Sequence, residues 1–173
     1  MTEAVTIRPL LHEDIPTLVA LARDIWRAHY PGIISVAQIE YMLAERYDEA
    51  VIREELKRND LWWDVLMLNG QMTGYASYFF TGAVTGDASE MKIDKLYLHP
   101  CAHRQGYGGM LIRHVAEVAT QRGCTRLMLA VNRHNQSAID AYHKHGFHIA
   151  DTSVREIGDG FLMDDYIMVK ELV

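Results

Sequence analysis

The stretch Met91-Lys92-Ile93-Asp94-Lys95-Leu96-Tyr97-Leu98, halted by Pro100, leads through a glycine-bearing turn into the run Tyr107–Arg122 and then into Arg126-Leu127-Met128-Leu129-Ala130-Val131. The outer pieces are apolar and extended in pattern. On the middle piece Tyr107, Met110, Leu111, His114, Val115, Val118 and Ala119 share one face, the spacing of an amphipathic helix that Gly123 ends. No room remains for a hairpin back, so Met91–Val131 predicts a right-handed parallel strand–helix–strand crossover.

Working outward, Val5–Leu10 reads as a first strand. Asp14 is a candidate N-cap for a helix carrying Leu18, Leu21, Ala22 and Ile25, stopped by Tyr30-Pro31-Gly32. Ser35 and Gln38 have capping-box spacing ahead of a second helix with Ile39, Met42 and Leu43 on one face, and a third helix is expected from Glu49 to Arg58. Trp62–Leu68 and Gln71–Phe80 flank Asn69-Gly70, a strong hairpin signal. After the crossover come a short helix, Gln136–His145, and two strands, Phe147–Ile157 and Phe161–Lys170, turning at Gly158-Asp159-Gly160. Thr81–Asp87 reads as a loop within a domain. The order predicts a mixed α+β sheet protein, a single domain over residues 1–173.

Composition narrows the function. The 173 residues suit one domain burying about 70% of its unfolded surface. Net charge is −6, which argues against a protein devoted to the nucleic-acid backbone. No apolar run reaches the ~18 residues of a membrane span, and Met1–Leu10 lacks the pattern of a secretory signal. Two cysteines, Cys101 and Cys124, make no disulfide framework, so a cytoplasmic, reducing setting is expected.

Chemistry concentrates in His103-Arg104-Gln105-Gly106-Tyr107-Gly108-Gly109, between a strand and a helix start. Glycines permit close approach to the backbone, and a first helical turn offers N–H groups and a positive dipole end to a pyrophosphate. A simple turn requiring positive φ explains an isolated Gly-x-Gly equally. The stretch is neither a Rossmann fingerprint, since Leu111 takes the last glycine's place, nor a P-loop, since no Gly-Lys-Ser/Thr follows.

The ordered set Leu96-Tyr97-Leu98-His99-Pro100, Gly106-Tyr107-Gly108-Gly109-Met110-Leu111, Leu127–Asn132, Asn135, Ala138, Ala141-Tyr142 and Gly146-Phe147 resembles the GNAT acetyltransferase superfamily across its motifs A and B. The resemblance implies a central, mostly antiparallel twisted sheet of about seven strands with flanking helices. It implies acetyl-CoA as acyl donor and a primary amine, of a small molecule, as acceptor. By the same resemblance Tyr97 and Leu98 border the pantetheine and acetyl group through strand backbone. Arg104, Gln105, Gly106, Tyr107, Gly108 and Gly109 hold the pyrophosphate, Asn135 bonds the pantetheine arm, and Tyr142 is the general acid. One position departs from the family pattern: His103 stands where Gln or Arg is usual, with Arg104 one place later.

Proton chemistry supports the Tyr142 role independently. A phenol of pKa about 10 stays protonated at neutral pH and donates to a departing thiolate, whose conjugate thiol has a pKa of about 8.5. A ring packed beside Phe147 is the competing explanation. For the general base, Asp94 is the nearest carboxylate, against water or a carboxylate merely paired with Lys92 or Lys95. A metal at His99-x-Cys101-x-His103 is not expected, because no second ligand pair accompanies it.

Trp26, His29 and Tyr30 stand where an acceptor wall is expected, though Trp26 fits a core equally. Asp151, Glu156, Asp159, Asp164 and Asp165 offer either an acidic rim for a cationic amine or a solvated turn. The chain is thus expected to be an acetyl-CoA-dependent N-acetyltransferase using direct attack in a ternary complex, compatible with a homodimer. Acetylation of a peptide or protein amine, or a catalytically silent acyl-CoA-binding module, remain the alternatives.

Overall fold

In the computed structural model, which describes residues 4–82 and 89–172, the elements follow the expected order. They are β1 (Val5–Pro9), α1 (Ile15–His29), α2 (Val36–Arg46), α3 (Glu49–Glu55), β2 (Leu61–Leu68), β3 (Gln71–Phe80), β4 (Glu90–Leu98), α4 (Tyr107–Gln121), β5 (Arg126–Asn132), α5 (Gln136–Lys144), β6 (His148–Gly158) and β7 (Phe161–Glu171). The strand order is β1-β2-β3-β4-β5-β7-β6, mostly antiparallel, with β4 and β5 parallel as the crossover requires. This is the expected mixed α+β fold. From residue 83 the predicted Thr81–Asp87 loop lies outside the described residues. Among those described, no helix is long and apolar enough to cross a membrane.

The chain folds as two compact units, one comprising the residues up to Phe79 with Lys95–Arg113, the other the remaining described residues. In the first, α1 buries Ile15, Leu18, Ala22, Ile25 and Trp26, α2 buries Ile39, Met42 and Leu43, and β2 and β3 contribute Trp63, Val65 and Tyr75. In the second, Val115 and Ala119 of α4, Leu127 and Leu129 of β5, Ile139 of α5, Phe147 and Met168 are buried.

Local signals were obeyed where the partner is local. Asn69 and Gly70 take φ of 51° and 82°, so the β2–β3 hairpin closes on a two-residue turn with Leu68 opposite Gln71. Ser35 Oγ accepts from Gln38 N–H at 3.1 Å. Other signals were overridden. The Gln38 side chain, instead of reaching back as a capping box would, is buried with Nε2 4.0 Å from Met42 Sδ. Asp14 does not cap α1; its carboxylate accepts from Leu11 N–H (2.9 Å) and pairs with Arg8 (2.6 Å). The Arg8 hydrogen bond holds that carboxyl below the usual range. α3 stops at Glu55 rather than Arg58 because Lys57 and Arg58 donate to Glu54 and Glu55, tightening the chain into i→i−3 turns.

One close approach fixes how β3 meets the end of β4. His99 N–H donates to Thr73 C=O at 2.8 Å, and a Cβ on Gly74 would lie 2.5 Å from Leu98 Cδ2 and 2.9 Å from Tyr97 O. Repacking Leu98 relieves only the first clash, since the second is backbone. Gly74→Ala is therefore expected to destabilise the protein by about 1–3 kcal/mol, as overpacking does. Urea unfolding of the two proteins measures this, and an unchanged midpoint would contradict it.

Candidate active site

Five residues past β4, the turn His103–Gly106 is built by two left-handed backbones, Arg104 (φ 62°) and Gly106 (φ 86°). For glycine this conformation is free; for arginine it costs on the order of 1–2 kcal/mol, a strain that tends to gather at functional positions. Side chains hold the turn: His103 Nε2 lies 3.0 Å from Leu98 C=O, and Gln105 Nε2 donates to Cys101 C=O at 3.1 Å. His99 Nδ1 accepts from Cys101 N–H at 3.2 Å. The His99 and His103 side chains thus serve the loop backbone, and no cluster of three metal-ligating side chains occurs among the described residues.

α4 begins at once, with Met110 N–H bonding Gly106 C=O at 3.1 Å. A Cβ on Gly106 would meet nothing within 4 Å, and one on Gly108 only Leu98 Cδ1 at 3.6 Å, an ordinary contact. Gly108 has no positive φ, so neither strain nor internal crowding demands glycine there. Tyr107 and Gly109 are buried, while Arg104 is exposed without an ion-pair partner among the described residues. An open-faced helix start beside a free guanidinium fits a pyrophosphate. The two basic candidates of the sequence also part here: His103 pins the loop to β4, whereas Arg104 leaves its charge exposed.

Alternation on β4 sends its last residues to opposite faces. Leu98 points to Gly74 and Gly108. Tyr97 points into an aromatic cluster, with ring centres 5.7 Å from Trp26 and 5.6 Å from Tyr75, and its hydroxyl 2.9 Å from that of Tyr30. Trp26 Nε1 donates to Tyr47 Oη (3.2 Å), which is 2.7 Å from Tyr75 Oη. Burial pushes the Tyr47 and Tyr75 phenols well above their ordinary pKa, so both stay neutral. Trp26 is core, 1% exposed, whereas His29, Tyr30 and Tyr97 are half-buried. The sequence named Tyr30 and Tyr97 separately; only the fold joins them. It also missed Lys95, 4% exposed, with Nζ 4.9 Å from the centre of the Trp63 ring and 5.8 Å from that of Tyr47. These cation–π contacts set the Lys95 ammonium against the faces of both rings.

The second unit carries the remaining candidates. Asn135, 5% exposed, precedes α5 without capping it, and its Oδ1 accepts from Ser137 Oγ at 3.4 Å. Tyr142 is half-buried on α5, its ring edge-on to Phe147 with centres 5.6 Å apart. The packing contact weighed against an acid role is therefore present. It engages ring carbons and orients the phenol without consuming its proton. His143 Nδ1 meets Phe147 C=O at 3.1 Å, and Lys170 Nζ donates to His145 C=O at 2.5 Å, closing the helix end. The five acids of residues 151–165 form no single rim. Asp164 pairs with Arg133 at 2.8 Å, Asp165 is 2% exposed, and Asp159 sits in the hairpin turn.

β4 pairs with β5 from Glu90↔Arg126 to Ile93↔Leu129, while β4 runs on to Leu98 and β5 to Asn132.

Comparison with known proteins agrees with this geometry. The chain is 28% identical over 161 residues to spermidine N(1)-acetyltransferase of Thermoplasma acidophilum, covering 93% of this chain and 96% of that one. The crystal structure of PaiA N-acetyltransferase from Thermoplasma acidophilum in complex with coenzyme A superposes with a TM-score of 0.83, at 26% identity, over 97% of this chain and 99% of that one. A shorter stretch of 71 residues, 41% of each chain, is 37% identical to thialysine N-epsilon-acetyltransferase of Sus scrofa. Residues 19–147 match the acetyltransferase (GNAT) family, and on that match the chain belongs to this family and is an acetyl-CoA-dependent N-acetyltransferase.

Proposed function

We propose that this acetyltransferase acts on a primary amine of a small, cationic molecule, by direct attack on the thioester of acetyl-CoA within a ternary complex. The observation that carries the acceptor class is the likeness over 93% of the chain to a relative named for spermidine. Two features support it. The half-buried rings of Tyr30 and Tyr97, backed by Trp26, suit an alkylammonium through cation–π attraction. The net charge of −6 favours approach of a cation.

In this reading the turn from Arg104 to Gly109 holds the pyrophosphate by backbone N–H groups, with Arg104 adding charge. Asn135 bonds the pantetheine arm. The amine attacks the thioester carbon and loses its proton to water or to Asp94. Backbone N–H of the Tyr97–Leu98 strand stabilises the oxyanion. As the C–S bond breaks, Tyr142 gives its phenolic proton to sulfur, leaving the acetylamide and free CoA thiol.

The test is release of CoA thiol against polyamines, amino acids, aminoglycosides and peptides. Small cationic amines should turn over best, at rates that fall with ionic strength. Preference for peptides would move the acceptor to protein amines. No release with any acceptor, despite acetyl-CoA binding, would make the chain a silent binding module.

Substitutions at two positions separate binding from chemistry. At a hundredfold excess over its dissociation constant, acetyl-CoA should stabilise the protein by about 2.7 kcal/mol. Gly108→Val should abolish most of that shift, and Gly108→Ala, whose Cβ would meet only Leu98 Cδ1 at 3.6 Å, should weaken it while leaving unfolding without ligand near wild type. Retention of the full shift in a melting experiment would contradict the phosphate-loop assignment. Tyr142→Phe should keep acetyl-CoA affinity and lower turnover by about 10²–10⁴, with a smaller loss for donors whose leaving thiol has a lower pKa. Near-full turnover with chemistry rate-limiting would reduce Tyr142 to the packing partner of Phe147.

A further inference from the structure

The C-terminal end of α5 carries the Tyr142 ring, and its backbone follows a defined pattern. Gly146 is left-handed (φ 92°), its N–H donates to His143 C=O at 3.1 Å, and Phe147 N–H donates to Tyr142 C=O at 3.0 Å. These are the two nested bonds of a Schellman motif, which turns the chain off the helix and straight into β6. Such a motif is accompanied by an apolar contact between the third-last helical residue and the residue after the glycine. Here those two are Tyr142 and Phe147, edge-on at 5.6 Å, with Phe147 2% exposed. The packing of the Tyr142 ring is therefore part of the helix end itself, and whatever fixes that end fixes the ring.

The motif satisfies the carbonyls of Tyr142 and His143. That of His145, one step further along, is met from another element: Lys170 Nζ of β7 donates to it at 2.5 Å. An ammonium suits the negative end of a helix dipole. The lysine stem crosses Gly146, where a Cβ would lie 3.1 Å from Nζ and 3.8 Å from Cε. On β7, Lys170 stands opposite Leu127 of β5, and the preceding residue, Val169, stands opposite His148 of β6. Lys170 thus springs from a strand paired on both sides and carries the position of the sheet to the helix end. The His143 ring, with Nδ1 3.1 Å from Phe147 C=O, stiffens the same end from within without anchoring it to β7.

Distance along the helix decides which function such an anchor touches. At about 1.5 Å per residue, Tyr142 lies about 4.5 Å along the axis from His145, and Asn135 about 15 Å. Loosening this end displaces the phenol and leaves the start of α5 in place. Proton donation to a departing thiolate needs hydrogen-bond reach, and a misplacement of about 1 Å costs up to about 10²-fold in rate.

We propose that Lys170 is a positioning residue for acetyl transfer: by bonding the His145 carbonyl it holds the Tyr142 hydroxyl where the departing sulfur takes its proton. The role rests on the acid reading of Tyr142. Lys170→Met keeps the apolar stem and removes the donor. With chemistry rate-limiting it should lower kcat about tenfold while KM for acetyl-CoA stays unchanged. The loss should shrink for acyl donors whose leaving thiol has a lower pKa, as a displaced acid requires. In a Tyr142→Phe background the same substitution should cost nothing further, since no phenolic proton remains to be placed. The melting shift with acetyl-CoA, retained in each variant, reports that the protein is folded; if Lys170→Met does not fold, Lys170→Gln carries the same cycle. Unchanged kcat in the single variant overturns the inference. So does an equal loss in the Tyr142→Phe background, or a loss confined to KM for acetyl-CoA. Any of these beside a slow Tyr142→Phe removes Lys170 alone and leaves the acid reading standing, whereas a fast Tyr142→Phe removes both.

Discussion

Leu98, the last residue of β4, is where the construction of the first unit is decided. Its side chain fills the space that a Cβ on Gly74 would need, and it lies 3.6 Å from the Cβ position of Gly108. Its carbonyl meets His103 Nε2, and the next residue, His99, bonds back to Thr73. One residue thus locks β3 to β4 on one side and sets the height of the glycine turn and the start of α4 on the other. The phosphate binding proposed for this turn depends on that lock, because backbone N–H groups bind an anion well only if the turn carrying them is held before the ligand arrives.

The opposite face of the same strand does different work. Lys95 and Tyr97 enter an aromatic cluster in which nearly every polar atom on a ring has a partner: Trp26 with Tyr47, Tyr47 with Tyr75, Tyr30 with Tyr97. Such a satisfied network rigidifies what it touches. In the proposed function Tyr97 therefore meets the acceptor as a fixed ring, and its backbone borders the donor. Strand alternation alone turns the neighbouring side chains of Tyr97 and Leu98 to these different surroundings.

Much of this was legible in the sequence because it rests on short-range rules. The crossover follows from the shortage of chain between α4 and β5, the hairpin from Asn69-Gly70, and the tight turn into α4 from glycines ahead of an amphipathic helix. What stayed hidden depends on partners distant in the chain. Gly74 reads as an ordinary strand glycine until Leu98 is laid over it. Asp14 has the residue type of an N-cap, but Arg8 and Leu11 claim its carboxylate. The acids from Asp151 to Asp165 read as one patch, yet strand alternation, the Arg133 pair and the burial of Asp165 divide them. The pairing of Tyr30 with Tyr97, sixty-seven residues apart, has no local signature.

The central claim is that backbone amides of the His103–Gly109 turn receive the donor's pyrophosphate. Titrating ¹⁵N-labelled protein with coenzyme A, and following amide resonances by heteronuclear NMR, tests it directly. The account predicts that the amides of Gly106, Gly108 and Gly109 shift downfield together and saturate with a single dissociation constant, as charge-assisted hydrogen bonds form. Saturable shifts confined to other parts of the chain, with these three glycine amides unmoved, would contradict it.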